Sequence, residues 1–276
     1  MKQINFIVLI SCLSFLFSCS NDESVDFDGP WITTDSAQVT LYTRPLNYSS
    51  SPSPNEAQIR VTLKNQNDFI DTINHRLGLN YTAKVSIYLY NYDEALNKIG
   101  TNGGGRTLTD KRTICYAFNG DLMYYPNWIV SDYMGLHEMV HIVSISELGR
   151  GGTRLMTEGY AVAIDGSYAG YKDQNGNIIR SLITEWMVAY SKANKVYRPS
   201  ELLNNPDNFP EEVFYPQSGY FIDWLFKKYG TEKINKLFTI NKDKFKAEFQ
   251  KITGDHFDVM EDEYLQETSR MVNKLF

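Results

Sequence analysis

His137-Glu138-Met139-Val140-His141 brings together the residue types that bind and use a metal ion. On a helix, residues four apart lie one turn above each other, so both imidazoles can reach one ion from one face. Glu138 projects beside them and can take a proton from water activated by that ion. The only other histidines, His75 and His256, fall at no ligand spacing and read as surface or core positions. Glu147, six residues past His141, lies on the wrong side of the helix for the same ion. Asp132, five residues before His137, reads as first-turn charge.

A second stretch, Leu155-Met156-Thr157-Glu158-Gly159-Tyr160-Ala161, follows, with sixteen residues between His141 and Glu158. Together the two stretches resemble the glutamate zincins, or gluzincins, in which a downstream helix supplies a ligand within an Asn/Thr-Glu-Gly-aromatic-Ala stretch. The resemblance implies one Zn²⁺ held by His137, His141 and Glu158, with Glu138 as general base. The branch that uses a third His needs His-x-x-Gly-x-x-His, which Ile142 to Glu147 excludes. Asp165 lies seven residues after Glu158 and shares its helix face. It is either a carboxylate that orients a His ligand or a charge at the helix end before Gly166.

The segment Tyr215 to Leu225, continuing to Tyr229-Gly230, resembles the helix that follows the site in peptidase MA-like domains. There a Tyr just before a Gly-containing helix start points at the substrate oxyanion, which implies that role for Tyr215, with Tyr220 and Tyr160 as competitors. Phe249 to Gly254 and Val259 to Leu265 also resemble the end of that family, so the likeness runs from about residue 83 to the C-terminus. It implies a zincin-like fold and hydrolysis of peptide bonds in a peptide or protein substrate. No Gly-x-Met-Glu-Asn stretch is present, which favours an endopeptidase over an aminopeptidase. From another class, a non-catalytic binding or adhesion lipoprotein of the same fold is the alternative.

These residues need elements to position them. Val39 to Tyr42 alternates as a strand. Ser53-Pro54 reads as an N-cap with proline at the first helical position. Ile59, Leu63, Gln66, Ile70, Ile73 and Leu77 then mark one helix face, stopped by Gly78. Lys84 to Tyr90 is a half-buried strand, and Thr101 to Thr107, with three consecutive glycines, a flexible loop. Thr113 to Phe118 and Leu122 to Tyr125 flank Asn119-Gly120-Asp121, a hairpin signal. That strand or its hairpin partner would bind peptide by strand addition. The site helix should span about 131–147, and a Gly-rich turn, either a pocket rim or a tight connection, leads to a second helix over 153–164. Helical periodicity continues through 178–194, 217–229, 232–240, 243–252 and 258–275. Strands first and helices after imply an α+β fold, with a small sheet lobe over about 33–148 carrying the active-site helix and a mostly helical lobe over 149–276.

The 276 residues are 42% hydrophobic and 22% charged, enough for one packed domain. A net charge of −6 with no basic run excludes a nucleic-acid partner. Met1-Lys2-Gln3 and the apolar run Ile4 to Phe17 read as a signal peptide over 1–18. Its end, Leu16-Phe17-Ser18-Cys19, resembles a lipobox, which implies lipid on Cys19; an ordinary cleaved signal is the alternative. The expected location is the bacterial outer membrane, and the acidic Asp22-Glu23 approximates a surface-export signal. Residues 19–32 read as a flexible tether before a metallopeptidase domain over 33–276, acting as a monomer. Once Cys12 leaves and Cys19 carries lipid, Cys115 remains, a buried small hydrophobe that forms no disulfide.

Overall fold

The apolar spacing of residues 59–77 produces helix α1 (Glu56–Leu77), in a computed structural model describing residues 25–101, 105–118, 120, 136–165, 171–172, 178–180 and 182–274. Its start differs from the expected one. Asn55, not Ser53, is the N-cap: its side chain accepts from the Gln58 amide at 3.0 Å, and the Gln58 side chain accepts from the Asn55 amide at 2.9 Å. This reciprocal box satisfies two amides that the first helical turn leaves open, which a serine two residues earlier cannot do. Gly78 closes the helix in the left-handed conformation at φ 62°.

The helix packs on a five-stranded sheet. Strands β1 (Ile32–Asp35), β2 (Val39–Thr43), β3 (Val85–Asn91), β4 (Gly105–Leu108) and β5 (Thr113–Phe118) lie in the order β1-β2-β3-β5-β4. The β2–β3 and β3–β5 pairs are parallel, while β1 and β4 add antiparallel strands at the two sides. Between β3 and β4, Tyr92–Ile99 forms helix α2. Two expectations change here. Part of the glycine-rich loop is strand β4, and β4 rather than residues 122–125 is the described antiparallel partner of β5. Residues 122–125 lie outside the described residues.

Strand alternation sorts the sheet into two buried faces. Val39, Leu41, Val85, Ile87, Leu89, Ile114, Tyr116 and Phe118 face the main core with α1. Tyr90, Cys115 and Ala117 face the other way, onto α2 and onto Val25, Phe27 and Trp31. Both sides being covered, β5 is buried at every position and reads as a continuous apolar run.

Residues 25–32 of the tether expected over 19–32 are therefore part of the fold. Residues 25–31 form a strap across the sheet, and Ile32 already belongs to β1. Arg44, just past β2, holds this strap. Its side chain is fully buried, with Nε and Nη2 donating to Glu94 at 2.7 and 2.9 Å. It also donates to the Pro30 and Asp28 carbonyls at 3.1 and 3.0 Å, and its guanidinium lies 3.6 Å from the Trp31 ring centroid. The guanidinium thus finds a carboxylate, two carbonyls and an aromatic face where water is excluded.

The second half is helical: α3 (Leu136–Leu148), α4 (Arg154–Asp165), α5 (Leu182–Lys192), α6 (Pro199–Asn204), α7 (Glu211–Tyr229), α8 (Thr231–Leu237), α9 (Lys242–Thr253) and α10 (Phe257–Lys274). Ile178–Arg180, expected to begin a helix, instead forms strand β7, paired antiparallel with β6 (Tyr171–Lys172). Adjacent β-branched Ile178 and Ile179 suit an extended backbone. Helix α7 starts six residues before the expected 217 and runs through Pro216. Proline has no amide to donate to the carbonyl four residues back. The Tyr190 hydroxyl donates to that carbonyl, on Glu212, so the helix continues. Sheet and helices share one continuous apolar core, from Val39 to Tyr264.

Replacing Arg44 by Ala leaves a half-buried carboxylate and two strap carbonyls without their donor. Stability should fall by about 3–5 kcal/mol in urea unfolding, and residues 25–31 should become sensitive to protease. A loss below about 1 kcal/mol, the size of an exposed ion pair, would mean that aromatic packing alone holds the strap.

Candidate metal centre

Helix α3 is buried from Leu136 through Ser144, on all sides, because it runs between α1, the sheet and α4. Within it His137 and His141 lie one turn apart, with ring centroids 4.8 Å apart and planes at 86°. The helix ends at Gly149, whose φ of +101° a side chain would strain. The next residues form a tight connection: the Gly152 amide donates to the Phe238 carbonyl at 2.9 Å, and a Cβ on Gly152 would lie 2.2 Å from the Ile240 carbonyl oxygen. Thr153 then caps α4, its hydroxyl accepting from the Met156 amide at 3.1 Å. One turn later Glu158 arrives opposite the histidines.

Three atoms converge there. His137 Nε2 and His141 Nε2 are 3.2 Å apart, and Glu158 Oε2 lies 3.3 Å from the first and 3.4 Å from the second. Ligands bound at about 2.0–2.1 Å in a tetrahedron stand about 3.3–3.4 Å from one another. The observed triangle has that edge length. Buried His137, His141 and Glu158 lie close enough to hold a metal ion.

The charge around the triangle points the same way. Asp165 Oδ2 is 2.6 Å from His137 Nδ1, deep in the protein. A proton on Nδ1 shared with that carboxylate leaves Nε2 as a lone pair toward the triangle. Burial by itself pushes the His137 pKa down, yet the Asp165 and Glu158 carboxylates outweigh it and raise it well above the usual value. Burial likewise tends to raise Glu158, and the two histidines overcome that and hold its carboxyl below the ordinary range. The pocket favours a positive charge between its donors, which a proton or a metal ion can supply. His141 Nδ1 is buried and has no hydrogen-bond partner among the described residues.

Glu138, one residue along α3, is buried with its two oxygens in different situations. Oε2 accepts from the Thr107 hydroxyl on β4, whereas Oε1 has no partner among the described residues. Gly105, also on β4, lies so close that a Cβ there would sit 2.5 Å from Glu138 Cγ. Neither Gly105 nor Thr107 was identifiable from sequence, where the three glycines indicated a flexible loop. Tyr215 is buried with its ring centroid 5.9 Å from that of His137, inside α7 rather than ahead of its start. Tyr160 donates to Asn235 at 2.5 Å and packs on Phe226 and Phe238, while Tyr220 packs on Tyr264. Of the three tyrosines, Tyr215 is the one whose ring meets a residue of the triangle.

Other expectations resolve by position. Glu147 is exposed in the last turn of α3, outside the cluster, and His75 and His256 are exposed. Cys115 is buried, which pushes its thiol up to about 12 and leaves it unreactive at neutral pH. Strand β5 has β3 on one side and β4 on the other, so it cannot accept a further strand; among the described residues the outer strand beside α3 is β4. Cys19 and Asp132 lie outside the described residues.

His141→Ala and Glu158→Ala should each abolish stoichiometric metal retention, read by elemental analysis. Asp165→Ala should weaken affinity about 10–100-fold. A folded-state pKa raised on His137 gives stability that is complete below about pH 6.5 and lost as pH rises through the folded value. The metal-free protein should therefore lose thermal stability as pH rises above neutrality, and the metal-loaded protein should not, measured as Tm with and without chelator. No family model matches this chain, and no curated protein matches it, so the reading of the site rests on its geometry.

Proposed function

We propose that the chain is a zinc-dependent peptide-bond hydrolase of the gluzincin kind, an endopeptidase anchored to a bacterial outer membrane by lipid on Cys19. The observation that carries this reading is the pairing of a three-donor triangle with Glu138, a buried carboxylate on the helix of the two histidines with one oxygen unpartnered among the described residues. Two imidazole nitrogens and a carboxylate oxygen are a donor set suited to zinc, with a position left for water. A structural site needs no such carboxylate beside it.

Zinc bound there supplies a water acidified toward neutrality and an electrophile that polarises the scissile carbonyl. Glu138 Oε1 takes the proton of the attacking water and delivers it to the departing amine nitrogen. Asp165 keeps the His137 proton on Nδ1, fixing the tautomer that presents Nε2. The Tyr215 hydroxyl donates to the oxygen that becomes negative as the carbonyl turns tetrahedral. The outer backbone edge of β4 pairs with an extended peptide, aligning it along α3.

Anchoring is supported by Leu16-Phe17-Ser18-Cys19 after the apolar run. Cys19 precedes Val25 by six residues, a reach of at most about 20 Å. A lipid there would hold the strap side of the sheet close to the membrane.

Glu138→Gln should lower kcat/KM on a fluorogenic peptide library by at least about 100-fold with zinc content unchanged. Undiminished turnover would remove Glu138 as the base, and peptide binding without turnover in the parent would favour the non-catalytic lipoprotein. Tyr215→Phe should reduce kcat by about 100-fold with zinc retained; an unchanged kcat would take Tyr215 out of the mechanism.

A further inference from the structure

Glu138 is tied to the sheet as well as to its own helix. Gly105 and Thr107 are two residues apart on β4, so both face the same side, toward α3. The Thr107 hydroxyl donates to Glu138 Oε2 and also lies 3.5 Å from the Glu138 carbonyl oxygen. A hydroxyl has one proton, and the carboxylate oxygen is the nearer acceptor. At Gly105 a Cβ would stand 2.5 Å from Glu138 Cγ and 3.0 Å from Cδ, and equally close, at 2.5 Å, to Tyr116 Cε1. The strand backbone thus presses against the stem of the glutamate while the hydroxyl holds one carboxylate oxygen.

We infer that Thr107 is a positioning residue for Glu138, holding Oε2 so that Oε1 alone is left to exchange protons, with Gly105 as the gap that lets the glutamate reach it. The catalytic half of this inference rests on the hydrolase reading above; the hold on Glu138 does not. A glutamate has three side-chain torsions, and a buried one without a fixed oxygen can present either oxygen or neither. One hydroxyl bond removes that freedom. It comes from the strand whose outer edge would pair with peptide, so the proton acceptor and the substrate's backbone share one support.

The decisive comparison uses Thr107→Val, which keeps the shape and removes the donor, with Thr107→Ser, which keeps the donor. In the zinc-loaded protein, Thr107→Val should lower kcat on a fluorogenic peptide library by about 10- to 100-fold. KM and zinc content should stay near those of the parent, and Thr107→Ser should recover most of the loss. A parallel measurement needs no activity: Thr107→Val should lower Tm in the parent but not in a Glu138→Ala background. Additive Tm changes, or a kcat that Val leaves untouched in an active protein, overturn the inference. If the zinc-loaded parent hydrolyses nothing, the hydrolase reading fails, and the Tm cycle alone decides the hold. Coupling then upholds it and additivity overturns it.

Discussion

Three buried atoms carrying lone pairs, within 3.4 Å of one another, repel unless a positive charge lies between them. That constraint governs the helical half of the molecule. His137 and His141 come from α3, whereas Glu158 comes from α4, so the triangle exists only if the two helices are held together against this repulsion. The force comes from packing elsewhere. Gly159, beside Glu158, lets α4 approach α7 so closely that a Cβ there would stand 2.8 Å from the Ser218 carbonyl oxygen. Gly219 returns the contact, a Cβ on it falling 2.2 Å from Val162 Cγ1. Two missing side chains therefore set the distance between α4 and α7. The same helix pair delivers Glu158 to one side of His137 and Tyr215 to another.

Asp165 joins this arrangement from the last turn of α4. Glu158 and Asp165 contact opposite nitrogens of one imidazole, at 3.3 and 2.6 Å. A single helix, on which the two lie seven positions apart, thereby fixes the ring's tautomer and its orientation together. Glycine at 159 is thus an electrostatic device as much as a packing one: moving α4 outward would displace both carboxylates at once.

The sheet half solves a different problem. Its central strands are buried on both faces, which needs cover on the side away from α1. Helix α2 supplies part of it, and the strap of residues 25–31 supplies the rest. Backbone segments without a sheet ladder of their own require other partners, and Arg44 provides donors for two of the strap carbonyls while its charge is met by Glu94. At the opposite side of the sheet, β4 pairs with no further strand among the described residues, and its inner face meets the site helix through Gly105 and Thr107. The sheet is therefore more than a support for α3, since one of its strands holds the carboxylate.

What was legible in the sequence was whatever depends on spacing along one element. The pair His137 and His141, with Glu138, follows from the helical period. So do the α1 face from Ile59 to Leu77 and the shared face of Glu158 and Asp165. The left-handed closure at Gly78 follows from the residue type. Alternation gave β2 and β3, and the order of strands before helices gave the α+β class. The missed features are those where a distant group supplies what the local sequence lacks. The helix reads as beginning at 217, after Pro216, until Tyr190 satisfies the carbonyl that proline leaves open. Gly103-Gly104-Gly105 reads as a loop until β5 pairs with its last residue. Residues 25–31 read as a tether until Arg44 and the aromatic face of the sheet bind them. The sequence alone placed His137, Glu138 and His141 on one helical segment and Glu158 and Asp165 on one face of another, because helical geometry fixes neighbours three to seven residues apart. Only the tertiary structure decided how His137, His141 and Glu158 meet, that Asp165 rather than solvent faces His137, and that Thr107 holds Glu138, because contacts between separate elements depend on packing that no local period encodes.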